Sequence, residues 1–430
     1  MTATDHTLTE LDSGVRVVTE AIPSVRSIAL GVFVGVGSRD ETDAEQGISH
    51  FIEHLLFKGT KRFGSTEIDE IFDAMGAEMN AGTSKETTTL YARFLDRHLE
   101  RALEVMGDMV LRPAWADVDS ERQVVIEEIA MYEDEPSDKV HDVLAGAVFG
   151  EHPLGRPIIG TPDVVGSVSI DELAAYHARR YSPGRVVVAA AGNLEHDQVA
   201  SLVEGTLAGG GPPAREQGAA ANGAAQSRAP ELRFHRKETE QVHLCLGGTG
   251  IARGDERRFA LRVLDTILGG SSSSRLFQEI RERRGLAYSV FSYFSQFVDT
   301  GEVALYVGTR PDRVAEALEV VAAELYRLQA EPISETEIDR ARENVKGRTA
   351  LALESTSARM HRLGSAILTD MPVLSPDEIM ARVDAVTADD LAALARDLFA
   401  PERLSAAGVG ADEDAFRAAL RPLSPQLAAA

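Results

Sequence analysis

The chain has 430 residues, of which 44% are hydrophobic and 26% charged, so it can bury enough apolar surface for two or three domains. Its net charge of −24 argues against a nucleic-acid partner, which would need a basic surface. The one cysteine, Cys245, excludes an intrachain disulfide and a cysteine zinc cage. The N-terminal residues lack a signal-peptide pattern, and no apolar run is long enough to span a membrane, so we expect a cytoplasmic protein with no membrane partner.

The first predicted elements are two strands, VRVVTEA and SIALGVFVGVG, followed by a helix that contains HFIEH. Positions i and i+4 of a helix share a face, so His50 and His54 can turn their rings towards one metal ion. Glu53 would reach the flank of that ion, the position of a base that acts on a metal-bound water. The alternative is a surface helix whose two histidines are satisfied by hydrogen bonds.

A catalytic zinc site needs a third protein ligand and an open position, and two histidines with one glutamate are a common set. The segment DSERQVVIEEIAMYEDEPSD, residues 119 to 138, is the best source and is predicted to be a helix. On that helix Glu121 and Glu128 share a stripe, whereas Glu127 points about 100° away from Glu128. Periodicity therefore favours Glu128 but leaves Glu127 open.

Residues 208–230, AGGGPPAREQGAAANGAAQSRAP, have the composition of a flexible linker between domains at 1–207 and 231–430. The halves are related, because LYARFLDRHLERALEV at residue 90 recurs as LYVGTRPDRVAEALEV 215 residues later. Both halves begin and end with strands around long helices. This pattern predicts an α+β fold of two homologous domains, each with a mixed, largely antiparallel sheet flanked by helices. The second copy of the HFIEH helix, RFALRVLDTILGG, has no histidine, so we expect only the first domain to bind metal.

HFIEH followed by ERQVVIEE resembles the inverted-zincin peptidases of the pitrilysin family, whose motif is His-x-x-Glu-His. The similarity extends over essentially the whole chain and is greatest to the beta subunits of mitochondrial processing peptidase and their single-chain bacterial relatives. It implies that Glu128 is the third metal ligand. It also implies that Glu121 supports the site from outside the coordination shell.

Two further blocks resemble functional segments of that family. GAEMNAGTSKETTTLYARFL is similar to the edge strand beside the zinc, which implies that Asn80 and Ala81 engage the substrate backbone. SSRLFQEIRERRGLAYSVFSYF is similar to the Arg-Tyr block, which implies that Arg281 and Tyr288 bind a substrate carbonyl or a tetrahedral oxyanion.

The resemblance implies a zinc-dependent endopeptidase with one Zn²⁺ per chain, in which Glu53 activates a zinc-bound water. Members of the family enclose peptides or unfolded segments in a chamber of four such half-domains. Because this chain supplies two, we expect a homodimer. The alternatives are a non-catalytic core or assembly subunit of the same fold, and a subunit that needs a different partner chain.

Overall fold

A computed structural model describes residues 6–207, 223–225 and 228–429. Most of the predicted linker, residues 208–230, therefore lies outside the described residues. The described chain forms two compact units. The first contains residues 6–129, 157–207 with 223, and 350–377, and the second contains residues 130–156, 224–225, 228–349 and 378–429.

The first unit contains a six-stranded sheet. Its strands are β1 (His6–Glu10), β2 (Arg16–Ala21), β3 (Ser27–Val34), β4 (Glu78–Thr83), β5 (Thr88–Leu95) and β6 (Val186–Gly192). They lie in the order β1-β2-β6-β3-β5-β4, and only the β2–β6 pair is parallel. Strand β4 is thus an edge strand.

Helices pack on both faces of this sheet. They are α1 (Ile48–Leu56), α2 (Ser65–Met75), α3 (Leu99–Leu111), α4 (Val118–Asp134, with residues 118–129 in this unit), α6 (Pro162–Ser167), α7 (Ile170–Arg180), α8 (His196–Leu207) and α12 (Thr356–Leu368). The larger core joins α1, α3, α4, α7 and α8 to the sheet. On the other face, Met360 and Leu363 of α12 pack against Val18, Ala29 and Phe33. Apolar contacts on both faces therefore stabilise the sheet against which α1 and α4 pack.

The second unit contains a five-stranded sheet. Its strands are β7 (Leu232–Arg236), β8 (Val242–Gly250), β9 (Ala287–Gln296), β10 (Gly301–Thr309) and β11 (Ser405–Gly410). They lie in the order β7-β11-β8-β10-β9, with only β7 and β11 parallel. This order repeats β2-β6-β3-β5-β4 of the first sheet, so β9 corresponds to the edge strand β4.

Helices also pack around the second sheet. They are α5 (Pro136–Phe149), α9 (Arg258–Leu268), α10 (Val314–Ala330), α11 (Glu335–Ala352, with residues 335–349 in this unit), α13 (Pro376–Asp384, with residues 378–384 in this unit), α14 (Ala388–Leu398), α15 (Glu413–Ala419) and α16 (Pro425–Ala429), and a π-helical segment covers Phe277–Arg283. Helix α5 packs on the sheet through Val140, Leu144 and Val148. Cys245 is buried in the same core, as expected for a small apolar side chain.

The predicted α+β fold of two similar halves, with mixed and largely antiparallel sheets, is confirmed. The compact units do not follow the two halves of the sequence, because α5 belongs to the unit built mostly from the second half and α12 to the other. The homologous domains predicted at residues 1–207 and 231–430 therefore stay a prediction from the sequence repeat. The predicted helix over 119–138 ends at Asp134, because Pro136 starts a new helix at α5 and disfavours helical backbone in the residue before it.

Candidate functional site

Helix α1, which carries HFIEH, is fixed at its N-terminus by a buried carboxylate. Glu41 is 1% exposed and accepts hydrogen bonds from the backbone N–H of Gly47 (2.9 Å) and Ser49 (2.7 Å). Burial raises the pKa of Glu41 to about 8, although these bonds act in the opposite direction. Gly47 has φ +93°, and a Cβ there would lie 2.7 Å from the carbonyl oxygen of Ile159. Only glycine fits this start of α1 without strain.

The remaining residues of α1 set the direction of its two histidines. The helix buries an apolar face made of Ile48, Phe51, Ile52, Leu55 and Leu56. The rings of His50 and His54 emerge one turn apart, with their centroids 4.7 Å from each other and their planes at 74°. His50 is 8% exposed, and burial, with a smaller effect of the His54 charge, lowers its pKa to about 4. The imidazole of His50 is therefore neutral at physiological pH, as a metal ligand must be.

Helix α4 brings a carboxylate to the same place. It starts after two non-glycine residues with positive φ, Trp115 (54°) and Asp117 (53°). The Trp115 ring packs edge-on against His177 at 5.4 Å, and the Asp117 carbonyl accepts the first-turn N–H of Glu121 at 2.9 Å. A positive φ is unfavourable for residues with a Cβ and persists only where the surroundings hold it, as these contacts do here.

Three ligand atoms converge between α1 and α4. Glu128 Oε2 lies 3.2 Å from His54 Nε2 and 3.7 Å from His50 Nε2. Tetrahedral zinc with ligands at 2.0–2.1 Å holds them about 3.3 Å apart, so both separations fit one ion. Among the described residues, His50, His54 and Glu128 are the only group of three or more such side chains that could hold a metal. Glu127, which periodicity left open, is exposed and outside this group.

The Nδ1 atoms of the two imidazoles have different surroundings. His54 Nδ1 lies 2.9 Å from Glu121 Oε1, and because a carboxylate only accepts, Nδ1 carries the proton and Nε2 keeps its lone pair. The other oxygen of Glu121 lies 2.7 Å from Lys58 Nζ. His50 Nδ1 is buried and makes no hydrogen bond to a described residue. Each histidine thus offers Nε2 to the convergence point, and the donor set suits zinc.

Glu53 is held beside this group by the edge strand. Thr83, the last residue of β4, donates its hydroxyl to Glu53 Oε2 at 2.5 Å. Burial raises the pKa of the Glu53 carboxyl above its usual value. The Thr83 hydrogen bond and the His54 charge oppose this rise, whereas the Glu128 charge adds to it. A carboxylate with a raised pKa next to a metal-binding group suits an acid–base catalyst.

The residues expected to contact substrate lie in both units. On β4, Asn80 is exposed, and its side-chain oxygen accepts the backbone N–H of Ala81 at 2.8 Å, so a peptide pairing with that N–H would first displace the Asn80 side chain. In the second unit, Arg281 Nη1 donates to the Tyr288 carbonyl at 3.1 Å, and the guanidinium lies 4.3 Å from the centroid of the Tyr288 ring. Tyr288 is 77% exposed, so the pair presents a cation and a phenol to solvent.

The sequence alone did not predict a role for three residues of this site: Glu41, Lys58 and Thr83. Each acts through a contact that is distant in sequence or that depends on backbone geometry, as with the 30 residues between Thr83 and Glu53. None lies in a recognisable motif with its partner. Lys58 lies two residues after α1 ends, but its partner, Glu121, is far along the chain.

Two family models match the chain: Insulinase (Peptidase family M16) over residues 16–162, and Peptidase M16 inactive domain over residues 167–345. An uncharacterized zinc protease of Streptomyces coelicolor is 44% identical over 423 residues, covering 95% of this chain and 91% of its own length. The uncharacterized zinc protease YmxG of Bacillus subtilis is 42% identical, covering 90% of this chain and 94% of its own length. The chain therefore belongs to peptidase family M16, as its resemblance to the pitrilysin family predicted.

Solved structures share this fold. The crystal structure of a protease from Helicobacter pylori superposes with a TM-score of 0.88 at 23% identity, covering 95% of this chain and all of the other. No helix in the described part of the chain combines the length and apolar character needed to cross a membrane.

Proposed function

We propose that this protein is a zinc-dependent endopeptidase that hydrolyses peptides or unfolded polypeptide segments. The observation that carries the proposal is the convergence of His50 Nε2, His54 Nε2 and Glu128 Oε2, with the Glu53 carboxylate beside them. The names of the zinc-protease relatives support the same reaction.

Each residue then has a defined task. His50, His54 and Glu128 would hold one zinc ion, which supplies Lewis-acid chemistry by lowering the pKa of a water molecule to about 7 and polarising the scissile carbonyl. Glu53 takes a proton from the attacking water at Oε1, the oxygen that does not receive the Thr83 hydroxyl, and passes it to the leaving amine. Glu121 keeps the proton of His54 on Nδ1.

Substrate binding and assembly complete the proposal. Asn80 and Ala81 on the open edge of β4 would pair with an extended peptide, and Arg281 with Tyr288 would bind a carbonyl or oxyanion. We propose a homodimer whose chamber admits unfolded segments, with the Arg-Tyr pair acting across subunits. Inactive Arg281→Ala and Glu53→Gln chains should then regain activity when mixed and allowed to exchange subunits. No recovery after exchange would contradict action across subunits.

The main test uses matched carboxylate variants, zinc analysis and a quenched peptide substrate. Glu53→Gln is expected to retain zinc and lose activity by about 10²- to 10⁴-fold, the usual contribution of a general base. Glu128→Gln should lose zinc, whereas Glu127→Gln, on the same helix but outside the group, should keep zinc and activity.

The wild-type protein should contain one zinc per chain, and a chelator should abolish cleavage. A wild-type chain that takes up no zinc, or a Glu53→Gln variant with full activity, would contradict the proposal. The first result would favour a non-catalytic assembly subunit of the same fold.

A further inference from the structure

We propose that Lys58 is a positioning residue for the metal site, which acts through Glu121 to hold His54 in its metal-binding orientation. The inference rests on the proposed function, because it concerns the zinc that His50, His54 and Glu128 would bind. It goes beyond that function by giving a task to a residue that is neither a ligand nor a base.

The contact is direct and partly shielded from solvent. Lys58 Nζ lies 2.7 Å from Glu121 Oε2, and the two side chains are 33% and 7% exposed. A carboxylate this buried is costly unless it is paired, and charge-assisted bonds of this length are among the stronger ones in proteins. The pair therefore differs from the exposed ion pairs that contribute little.

The same carboxylate contacts the metal ligand. Glu121 Oε1 accepts the proton of His54 Nδ1 at 2.9 Å, while Oε2 binds Lys58. With both oxygens engaged, the carboxylate plane cannot rotate without breaking one of these bonds. Because the carboxylate fixes the proton position and the ring plane of His54, Lys58 indirectly fixes the direction of the Nε2 lone pair.

Lys58 also connects the two helices that carry the ligands. It lies in the turn that ends α1, where its backbone N–H donates to the Leu55 carbonyl at 3.1 Å. The next residue, Gly59, accepts the N–H of Ala114 at 3.0 Å, shortly before α4 begins. The Lys58–Glu121 bond thus spans from the end of α1 to the first turns of α4 and holds together the two sources of ligands.

The effect is measured as zinc affinity of the chelator-stripped full chain, titrated against a colorimetric chelator. Lys58→Met removes the charge but keeps much of the side-chain volume, and it is expected to weaken zinc binding by about 10- to 100-fold, the usual effect of losing a partner outside the coordination shell. Lys58→Arg, which keeps the charge, should recover most of this loss. Lys61→Met, three residues away with an exposed side chain, is the matched control and should bind like wild type.

A double-mutant cycle tests whether Lys58 acts through Glu121. In a Glu121→Gln background, Lys58→Met should cause no further loss of zinc affinity, because the carboxylate it orients is already gone. Thermal unfolding of each metal-free variant checks that the fold is intact. Lys58→Gln replaces Lys58→Met if that variant does not fold, with the same expectation.

Three results would overturn the inference while leaving the proposed function intact: a Lys58→Met variant that binds zinc as tightly as the wild-type chain, equal losses for Lys58→Met and Lys58→Arg, or an undiminished Lys58→Met effect in the Glu121→Gln background. A wild-type chain that binds no zinc would instead contradict the proposed function itself. The two failures are therefore distinguishable in one set of titrations.

Discussion

Helices α1 and α9 occupy equivalent positions in their units but carry different chemistry. Each follows a central strand, β3 or β8, and precedes an edge strand, β4 or β9. The residue of α9 that corresponds to His50, at an offset of 215, is Asp265. The other positions of α9 are mainly buried apolar residues. Among the described residues, metal-ligating side chains converge in threes only at α1.

A hydroxyl–carboxylate bond joins the helix to the edge strand in each unit, but at positions that do not correspond, because Asp265 matches His50 and Leu268 matches Glu53. In the first, Thr83 at the end of β4 donates its hydroxyl to Glu53 of α1; in the second, Ser292 of β9 donates to Asp265 of α9, and both bonds are 2.5 Å long. The proposed third ligand, Glu128, has a glutamate at the corresponding position of the second unit, but in different surroundings. Glu343, 215 residues after Glu128, is exposed and forms an ion pair with Lys346 at 2.6 Å. The two units thus share a type of contact between helix and edge strand, whereas the imidazole pair with a carboxylate beside it is specific to the first unit among the described residues.

The largest expected effect comes from removing a ligand on α1. His54→Ala should lower zinc affinity by more than about 100-fold, the upper range for losing only a supporting partner, and should abolish peptide cleavage. Zinc content after dialysis and cleavage of a quenched peptide measure this. Asp265→Ala in α9 is the matched control and should keep one zinc per chain. If Asp265→Ala lost zinc, or if His54→Ala retained zinc, the proposal that only α1 binds metal would be contradicted.

A pH effect on folding is expected from His50. The pKa of His50 is about 4 in the folded chain and 6.5 in the unfolded chain. Between these two pH values the unfolded state therefore binds more protons than the folded state. The stability of the metal-free protein should therefore fall as pH drops from 6.5 to 4, by up to about 3 kcal/mol from this residue. Urea unfolding of wild type and His50→Gln measures it, since the other histidines are common to both. Parallel pH curves for the two proteins would contradict the expectation.

The smallest expected effect concerns the hydroxyl bond between the edge strand and the helix. Thr83→Val should lower kcat by about tenfold with zinc content unchanged, because a hydrogen bond to a charged group contributes about 1.5–3 kcal/mol. Ser292→Ala removes the hydroxyl–carboxylate bond of the second unit and should leave kcat unchanged while lowering stability by about 1.5–3 kcal/mol. Steady-state kinetics and urea unfolding separate the two outcomes. A similar fall in kcat for both variants would show that the bond acts only through the scaffold.

Much of the fold and the pairing of His50 with His54 could be predicted because their signals are local or repeated. The i, i+4 spacing of His50 and His54 needs only helical geometry, and the recurrence of LY and ALEV reveals two similar halves. Periodicity alone did not choose between Glu127 and Glu128, since the choice depends on how α4 crosses α1. The resemblance to the pitrilysin family named Glu128, which is the one that lies with the histidines.

The supporting residues were not predictable for a physical reason. Glu41 binds backbone N–H groups of α1 through a loop conformation that depends on the positive φ of Gly47. Thr83 reaches Glu53 only because β4 is the edge strand that ends beside α1. Such contacts follow from tertiary packing and leave no spacing rule in the sequence.

The placement of helices α5 and α12 makes the two halves of the sequence depend on each other for folding. By the same 215-residue relation they are copies of one element, yet each covers the sheet built mainly from the other half. A chain that ended at Leu207 would lack Met360 and Leu363, and Val18, Ala29 and Phe33 would face water. Either half of the sequence alone would therefore leave an apolar face of its sheet exposed, and we expect neither half to fold stably without the other.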